Sequence, residues 1–164
     1  MKEKTVICPG SFDPITIGHL DIISRASSMF DKVIVLVMKN VTKNYCFTPE
    51  ERKVLIEKSV ADLPNVTVDV FHGLLADYAA EKNAFAIIKG LRAMSDFEYE
   101  FQMALINKKL NPNIETLFLT TSTENMYLSS SMVKQISGMG GNIKDFVPAV
   151  IHDDIVKRLS EIEI

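Results

Sequence analysis

A serine, a glycine and a histidine stand close together near the start of this 164-residue chain, in Gly10-Ser11-Phe12-Asp13-Pro14-Ile15-Thr16-Ile17-Gly18-His19. The chemistry that suits such a segment is the handling of phosphate. Gly10 permits a sharp turn or a close backbone approach to a ligand, and Ser11 offers a hydroxyl. Gly18-His19 is expected to open a helix, whose free N–H groups and dipole favour an anion. A histidine there can donate a hydrogen bond to a phosphoryl oxygen as charge accumulates on it. A lone histidine more often caps or packs, so the company this one keeps decides its reading. The segment is not a Walker A loop, because no Gly-Lys-Ser/Thr occurs at the required spacing, and it is not a GxGxxG dinucleotide fingerprint. Phosphates must then be held by side chains as well as by backbone.

Further along the chain come the groups that would do so. Lys43 follows the second apolar run, and Lys89 and Arg92 bracket Gly90-Leu91 after the fourth. A lysine is solvated by default; two cations around a glycine, at an expected strand-to-helix junction, make a phosphate cradle. Arginine binds phosphate through two parallel hydrogen bonds, whereas lysine acts as a mobile point charge. Ser129-Ser130-Ser131, just before Met132-Val133-Lys134, reads either as a helix N-cap with spare serines or as hydroxyls facing a triphosphate.

The elements that must position these groups follow from periodicity. Short apolar runs alternate with helix-length amphipathic segments, without repeats or low-complexity tracts. Strands are expected at Thr5–Cys8, Lys32–Met38, Val66–Val70, Phe85–Ile88 and Thr116–Leu119. The second is apolar throughout, as in a parallel strand covered on both faces; the third alternates, as at a half-exposed edge. Helices are expected near Gly18–Met29, from Thr48-Pro49-Glu50-Glu51 to about Asp62, at Leu74–Glu81 and Arg92–Leu110, and in the tail near Ser131–Ser137 and Ala149–Leu159. Thr48, Pro49 and Glu51 form a capping-box start. Phe97, Phe101, Ala104 and Leu105 share one stripe of the long helix, suited to a core or to an interface.

Five strands separated by helices imply an α/β fold. It is a single doubly wound, Rossmann-like domain over residues 1–164, with a five-stranded parallel sheet and C-terminal helices. Ligands of such sheets bind beyond the carboxyl ends of the strands, at the switch point. The chemistry is therefore expected in 9–19, 38–47, 71–75, 89–92 and 120–131, where the unusual residues collect.

Composition narrows the class of protein. A net charge of −3 argues against a general nucleic-acid or membrane-surface binder. Cys8 and Cys46 are the only cysteines and form no CxxC or Cys/His metal spacing, so reduced thiols and no protein metal site are expected. The run Val6-Ile7-Cys8 is too brief for a signal-peptide core and no stretch approaches membrane-spanning length, which makes a cytoplasmic protein the expectation.

Taken together, these segments resemble the bacterial phosphopantetheine adenylyltransferases, of the nucleotidyltransferase superfamily. The resemblance rests on Pro9 to Thr16 with Gly18-His19; on Phe47-Thr48 with Glu50-Glu51-Arg52; on Lys89-Gly90-Leu91-Arg92-Ala93 with Asp96-Phe97-Glu98-Tyr99-Glu100; and on Leu128 to Lys134. It covers nearly the whole chain. It implies transfer of AMP from ATP to 4′-phosphopantetheine, giving dephospho-CoA and pyrophosphate with Mg²⁺ present, by in-line attack without a covalent enzyme intermediate. By the same resemblance His19, Lys43 and Arg92 are catalytic. ATP is contacted by Ser11, Phe12, His19, Gly90, Leu91, Arg92, Glu100, Asn125, Met126, Tyr127, Leu128, Ser129, Ser130 and Ser131. Phosphopantetheine is contacted by Ser11, Lys43, Leu75, Lys89 and Asn107. A homohexamer is implied as well.

Four positions depart from the commonest pattern of that family: Ser11 for threonine, Lys89 for arginine, Gln135 for glutamate and Cys8 for an aromatic residue. None removes a group the chemistry requires. The rival acceptors are nicotinamide mononucleotide, or a phospho-alcohol with CTP in place of ATP. The Lys-Gly-Leu-Arg and Asp-Phe-Glu-Tyr-Glu segments argue against both.

Overall fold

The computed structural model describes residues 3–40 and 42–162, apart from the side chains of residues 94 and 95. Within them the chain runs β1 (Thr5–Gly10), α1 (Ile17–Met29), β2 (Lys32–Met38), α2 (Pro49–Ser59), β3 (Val66–Phe71), α3 (Leu75–Glu81), β4 (Ala86–Leu91), α4 (Met94–Leu110), β5 (Glu115–Thr120), α5 (Ser130–Gly138) and α6 (His152–Ser160), with 3-10 turns at Thr123–Asn125 and Ala149–Ile151. All strand pairs are parallel, in the order β3-β2-β1-β4-β5. The expected five-stranded sheet is present and β3 is an edge, as its half-exposed alternation requires.

The strands sort their residues by the two-residue period of the pleat. Val6, Val33, Val35, Val37 and Ile88 belong to a core shared with Ile23 and Ala26 of α1, Leu55 and Ile56 of α2, Val133 of α5 and Ile155 of α6. Their neighbours Ile7, Ile34, Leu36 and Ile87 pack on the opposite face with Tyr78 and Ala79 of α3. The apolar runs of β1 and β2 are thus explained by burial on both faces.

The order also locates the switch point. After β1 the chain winds outward through β2 and β3, then returns to lay β4 on the other side of β1. Between β1 and β2 the register runs from Thr5↔Lys32 to Gly10↔Val37. Between β1 and β4 it holds only at Val6↔Ala86 and Ile7↔Ile87. The two strands continue to Gly10 and Leu91 but part beyond Ile7, and Pro9 has no N–H to donate across the gap. The crevice characteristic of this topology opens there.

Several boundaries differ from expectation, β1 among them, which runs on through Pro9 to Gly10 past the expected end at Cys8. β4 extends through Leu91 and α4 begins at Met94, so the strand-to-helix junction starts at Arg92 and leaves Lys89 and Gly90 inside the strand. α2 stops at Ser59, short of Asp62. On α4 the apolar stripe is no core: Phe97, Phe101 and Leu105 are 37%, 47% and 56% exposed. Among the described residues no helix is long and apolar enough to cross a membrane.

Candidate active site

The N-terminus of α1 faces the crevice, and its geometry dictates the state of His19. Thr16 is the N-cap, its Oγ1 accepting the His19 backbone N–H at 3.3 Å. The Thr16 backbone N–H donates in return to His19 Nδ1 at 3.1 Å, completing a capping box in which histidine replaces the usual glutamate. Because Nδ1 accepts, the ring proton sits on Nε2, which is left to donate. Burial, then the charges of Arg92, Lys89 and Lys43 in that order, push the His19 pKa down from 6.5 to about 4. At neutral pH this is an uncharged N–H donor set in a positive field. The histidine therefore caps its helix and keeps a nitrogen for chemistry, so the two sequence readings are compatible.

The loop between β1 and α1 is shaped around that ring. Phe12 is buried with its ring edge-on to His19, centroids 5.1 Å apart. Its φ of +49° lies in the left-handed region, an uncommon and costly conformation for a bulky residue. Gly10 makes room for it, since a Cβ there would stand 3.0 Å from the Phe12 ring. Asp13, only 3% exposed, accepts the backbone N–H groups of Cys46 and Phe47 at 3.0 and 2.9 Å and pairs with Lys134 of α5 at 3.0 Å. Arg52 of α2 reaches the Ser11 carbonyl at 2.6 Å. Lys43 lies exposed in the loop that Asp13 and Arg52 hold down.

At the end of β4, consecutive residues serve opposite faces. Lys89, in step with Ile87, turns to the α4 side and pairs with Glu100 at 3.3 Å. Gly90 turns to α1, where a Cβ would meet Ile22 at 3.0 Å. Its glycine is explained by the close packing of helix on strand. Arg92, at the shifted junction, is held by Asp96 in the first turn of α4 at 3.2 Å and by the Leu128 carbonyl at 2.8 Å.

That last bond draws in the C-terminal segment. Leu128 is buried, Met126 and Tyr127 are exposed, and Asn125 lies in a 3-10 turn beside Gly18. Ser129 caps α5 by accepting the Met132 N–H at 3.1 Å, and keeps its own hydroxyl proton to donate. Ser130 instead donates to the Pro14 carbonyl at 2.7 Å. Ser131 is exposed at the first turn. Leu75 and buried Asn107 lie on α3 and α4, the Lys89 side of the sheet.

Comparison with known proteins decides the family. A family model described as Cytidylyltransferase-like matches residues 7–136. Phosphopantetheine adenylyltransferase of Clostridium tetani is 60% identical over 152 residues, covering 93% of this chain and 95% of that protein. The chain belongs to the phosphopantetheine adenylyltransferase family. The Alkaliphilus oremlandii protein of that name is 59% identical over 94% of this chain and 99% of its own length. The family's fold extends further: the structure of a candidate nicotinate-nucleotide adenylyltransferase of Vibrio parahaemolyticus superposes with a TM-score of 0.71, over 96% of each chain, at 17% identity.

Sequence reasoning gave no role to four residues of this site: Thr16, Asp13, Arg52 and Asp96. Thr16 was findable as a hydroxyl before a helix. Asp96 at four residues from Arg92 matched an ion-pair spacing. Buried Asp13 and Arg52 had no local signal, for charged residues are solvated by default.

Proposed function

We propose that this protein transfers AMP from ATP to 4′-phosphopantetheine, releasing pyrophosphate and giving dephospho-CoA, the penultimate step of coenzyme A synthesis. Beyond the names of its relatives, one observation carries the reading. At the N-terminus of the helix that follows β1, His19 is neutral with its Nδ1 taken by the Thr16 N–H, which leaves Nε2–H to donate under the field of Arg92, Lys89 and Lys43.

Phosphoryl transfer asks the protein mainly for positioning and charge stabilisation. The attacking oxygen belongs to the acceptor's own phosphate, which is already anionic, so a side-chain nucleophile is unnecessary. In this scheme Ser11 and Lys43 hold that phosphate beside the α-phosphate of ATP, and His19 donates to the α-phosphoryl oxygen as its charge grows. Arg92, with Gly90 and Leu91 and the backbone of Asn125 to Ser131, cradles ATP. Glu100 holds the ribose. Phe12, its ring committed to His19, offers its backbone N–H. Leu75, Lys89 and Asn107 line the phosphopantetheine arm on the other side of the sheet. Among the described residues no group of three His, Cys, Asp or Glu could hold a metal, while Asp96 and Glu100 are engaged by Arg92 and Lys89. Mg²⁺ carried in on the ATP phosphates would neutralise charge on the leaving pyrophosphate.

We read residues 1–164 as one cytoplasmic catalytic unit assembled as a homohexamer. The apolar residues left exposed on α4 and β5, among them Phe101, Leu105, Leu110 and Leu117, form the kind of surface that a subunit contact covers. The test of function is pyrophosphate release with ATP, offering 4′-phosphopantetheine and nicotinamide mononucleotide in parallel, and CTP as the alternative donor. Turnover confined to ATP with phosphopantetheine is expected. Turnover of another pair in its place would overturn the reading.

A further inference from the structure

Arg52 is an unusual charge to find inside a protein. It is 1% exposed, and among the described residues no carboxylate lies within ion-pair distance of it. A buried cation without a counter-ion is costly unless its hydrogen bonds are well provided for. Here they go to three main-chain carbonyls from three separate segments: Ser11 after β1 at 2.6 Å, Met38 ending β2 at 3.5 Å and Thr48 capping α2 at 3.4 Å. Its guanidinium also lies 4.2 Å from the ring centroid of Tyr45, whose hydroxyl donates to the Asn40 carbonyl at 3.1 Å. The ends of β1 and β2 and the 45–48 segment thus meet on one planar fork. A lysine, with a single nitrogen, cannot reproduce that geometry.

We infer that Arg52 is a positioning residue for phosphoryl transfer: it sets the Ser11 loop and the Lys43 loop relative to His19, without touching either substrate. The inference rests on the proposed reaction. Two groups reach the same loops with opposite charge, Arg52 through the Ser11 carbonyl and Asp13 through the Cys46 and Phe47 N–H groups. Loss of one loosens the clasp without emptying the site. Misplacing reacting groups by about 1 Å costs on the order of 100-fold in rate, so the expected signature is in kcat.

Arg52 also lines a cavity of about 450 Å³ with Lys39, Tyr45, Phe47, Thr48, His72 and Arg158. A small cation has a route to its position from that side. The experiment compares wild type, Arg52→Ala, Arg52→Lys and a control, His72→Ala, an exposed residue that lines the same cavity. Pyrophosphate release and thermal melting are measured for each, with ATP and 4′-phosphopantetheine varied separately. For Arg52→Ala we expect kcat to fall by about 10- to 100-fold with both KM values within about threefold. Millimolar ethylguanidinium should restore part of it and leave His72→Ala unchanged. Arg52→Lys should keep a near-normal melting temperature and still lose kcat.

An unchanged kcat in folded Arg52→Ala, or a loss that ethylguanidinium leaves untouched, overturns the inference. If the alanine variant does not fold, full kcat in Arg52→Lys overturns it. An inactive wild type would instead count against the proposed reaction.

Discussion

At the scale of single residues, His19 has the sharpest consequences. It is proposed to act as a neutral donor through Nε2, with Nδ1 occupied by the Thr16 N–H. His19→Ala should lower turnover by two powers of ten or more, on the order of what one lost transition-state donor costs. The same change opens the capping box of α1, which should cost no more than about 1 kcal/mol of stability. Steady-state kinetics and urea unfolding on one preparation read both effects; near-normal turnover in the folded variant would remove His19 from the chemistry. The ring should titrate near its depressed value of about 4, as ¹⁵N chemical shifts in the free protein will report. The sign for stability follows from linkage. Between 6.5 and about 4 the unfolded chain takes up this proton and the folded one does not. Stability from this residue is therefore complete above pH 6.5 and lost as the pH falls through that window. A measured pKa of 6.5 or above would contradict the geometry.

At the scale of elements, the approach of α1 to β4 aligns the two sides of the crevice. Gly90 permits it, because a Cβ there would press on Ile22 at 3.0 Å. Gly90→Val should cost about 1–3 kcal/mol through overpacking and should lower activity as well, by pushing α1 and its His19 away from Arg92. Thr48→Ala is the contrasting case. It removes the N-cap of α2, whose hydroxyl accepts the Glu51 N–H, and should cost about 1 kcal/mol in denaturant unfolding with turnover close to wild type. A large loss of turnover there would mean that α2 transmits more to the site than its Arg52 contact.

At the scale of the whole molecule, the proposed reagents divide between the two faces of the sheet. His19, Arg92 and the α5 N-terminus gather on the α1 side, and Lys89, Glu100, Leu75 and Asn107 on the α3–α4 side. The parted ends of β1 and β4 join the two. The exposed stripe of α4 lies outside this crevice, with Phe97 and Phe101 stacked at 5.7 Å. If subunits meet there, Leu105→Glu should reduce the assembly to smaller species in light scattering, with the monomer still folded. A variant that keeps the full assembly would place the contact elsewhere.

Much of this molecule was legible from its residue order. The strands were marked by apolar runs and the α2 start by Thr48-Pro49-Glu50-Glu51, because these signals come from neighbours within one turn or one pleat. The segments proposed to handle phosphate could be picked out as candidates too, since each carries its glycine, hydroxyl or cation locally. Strand order was not, nor the parting of β1 from β4, nor the alternation that sends Lys89 and Gly90 to opposite faces. The buried charges of Asp13 and Arg52 were equally hidden. Each depends on contacts between segments far apart in the chain, as when Arg52 meets the Ser11 carbonyl or Lys134 meets Asp13. Residue types and spacing therefore determined which groups could handle phosphate, and folding alone decided which of them face one another.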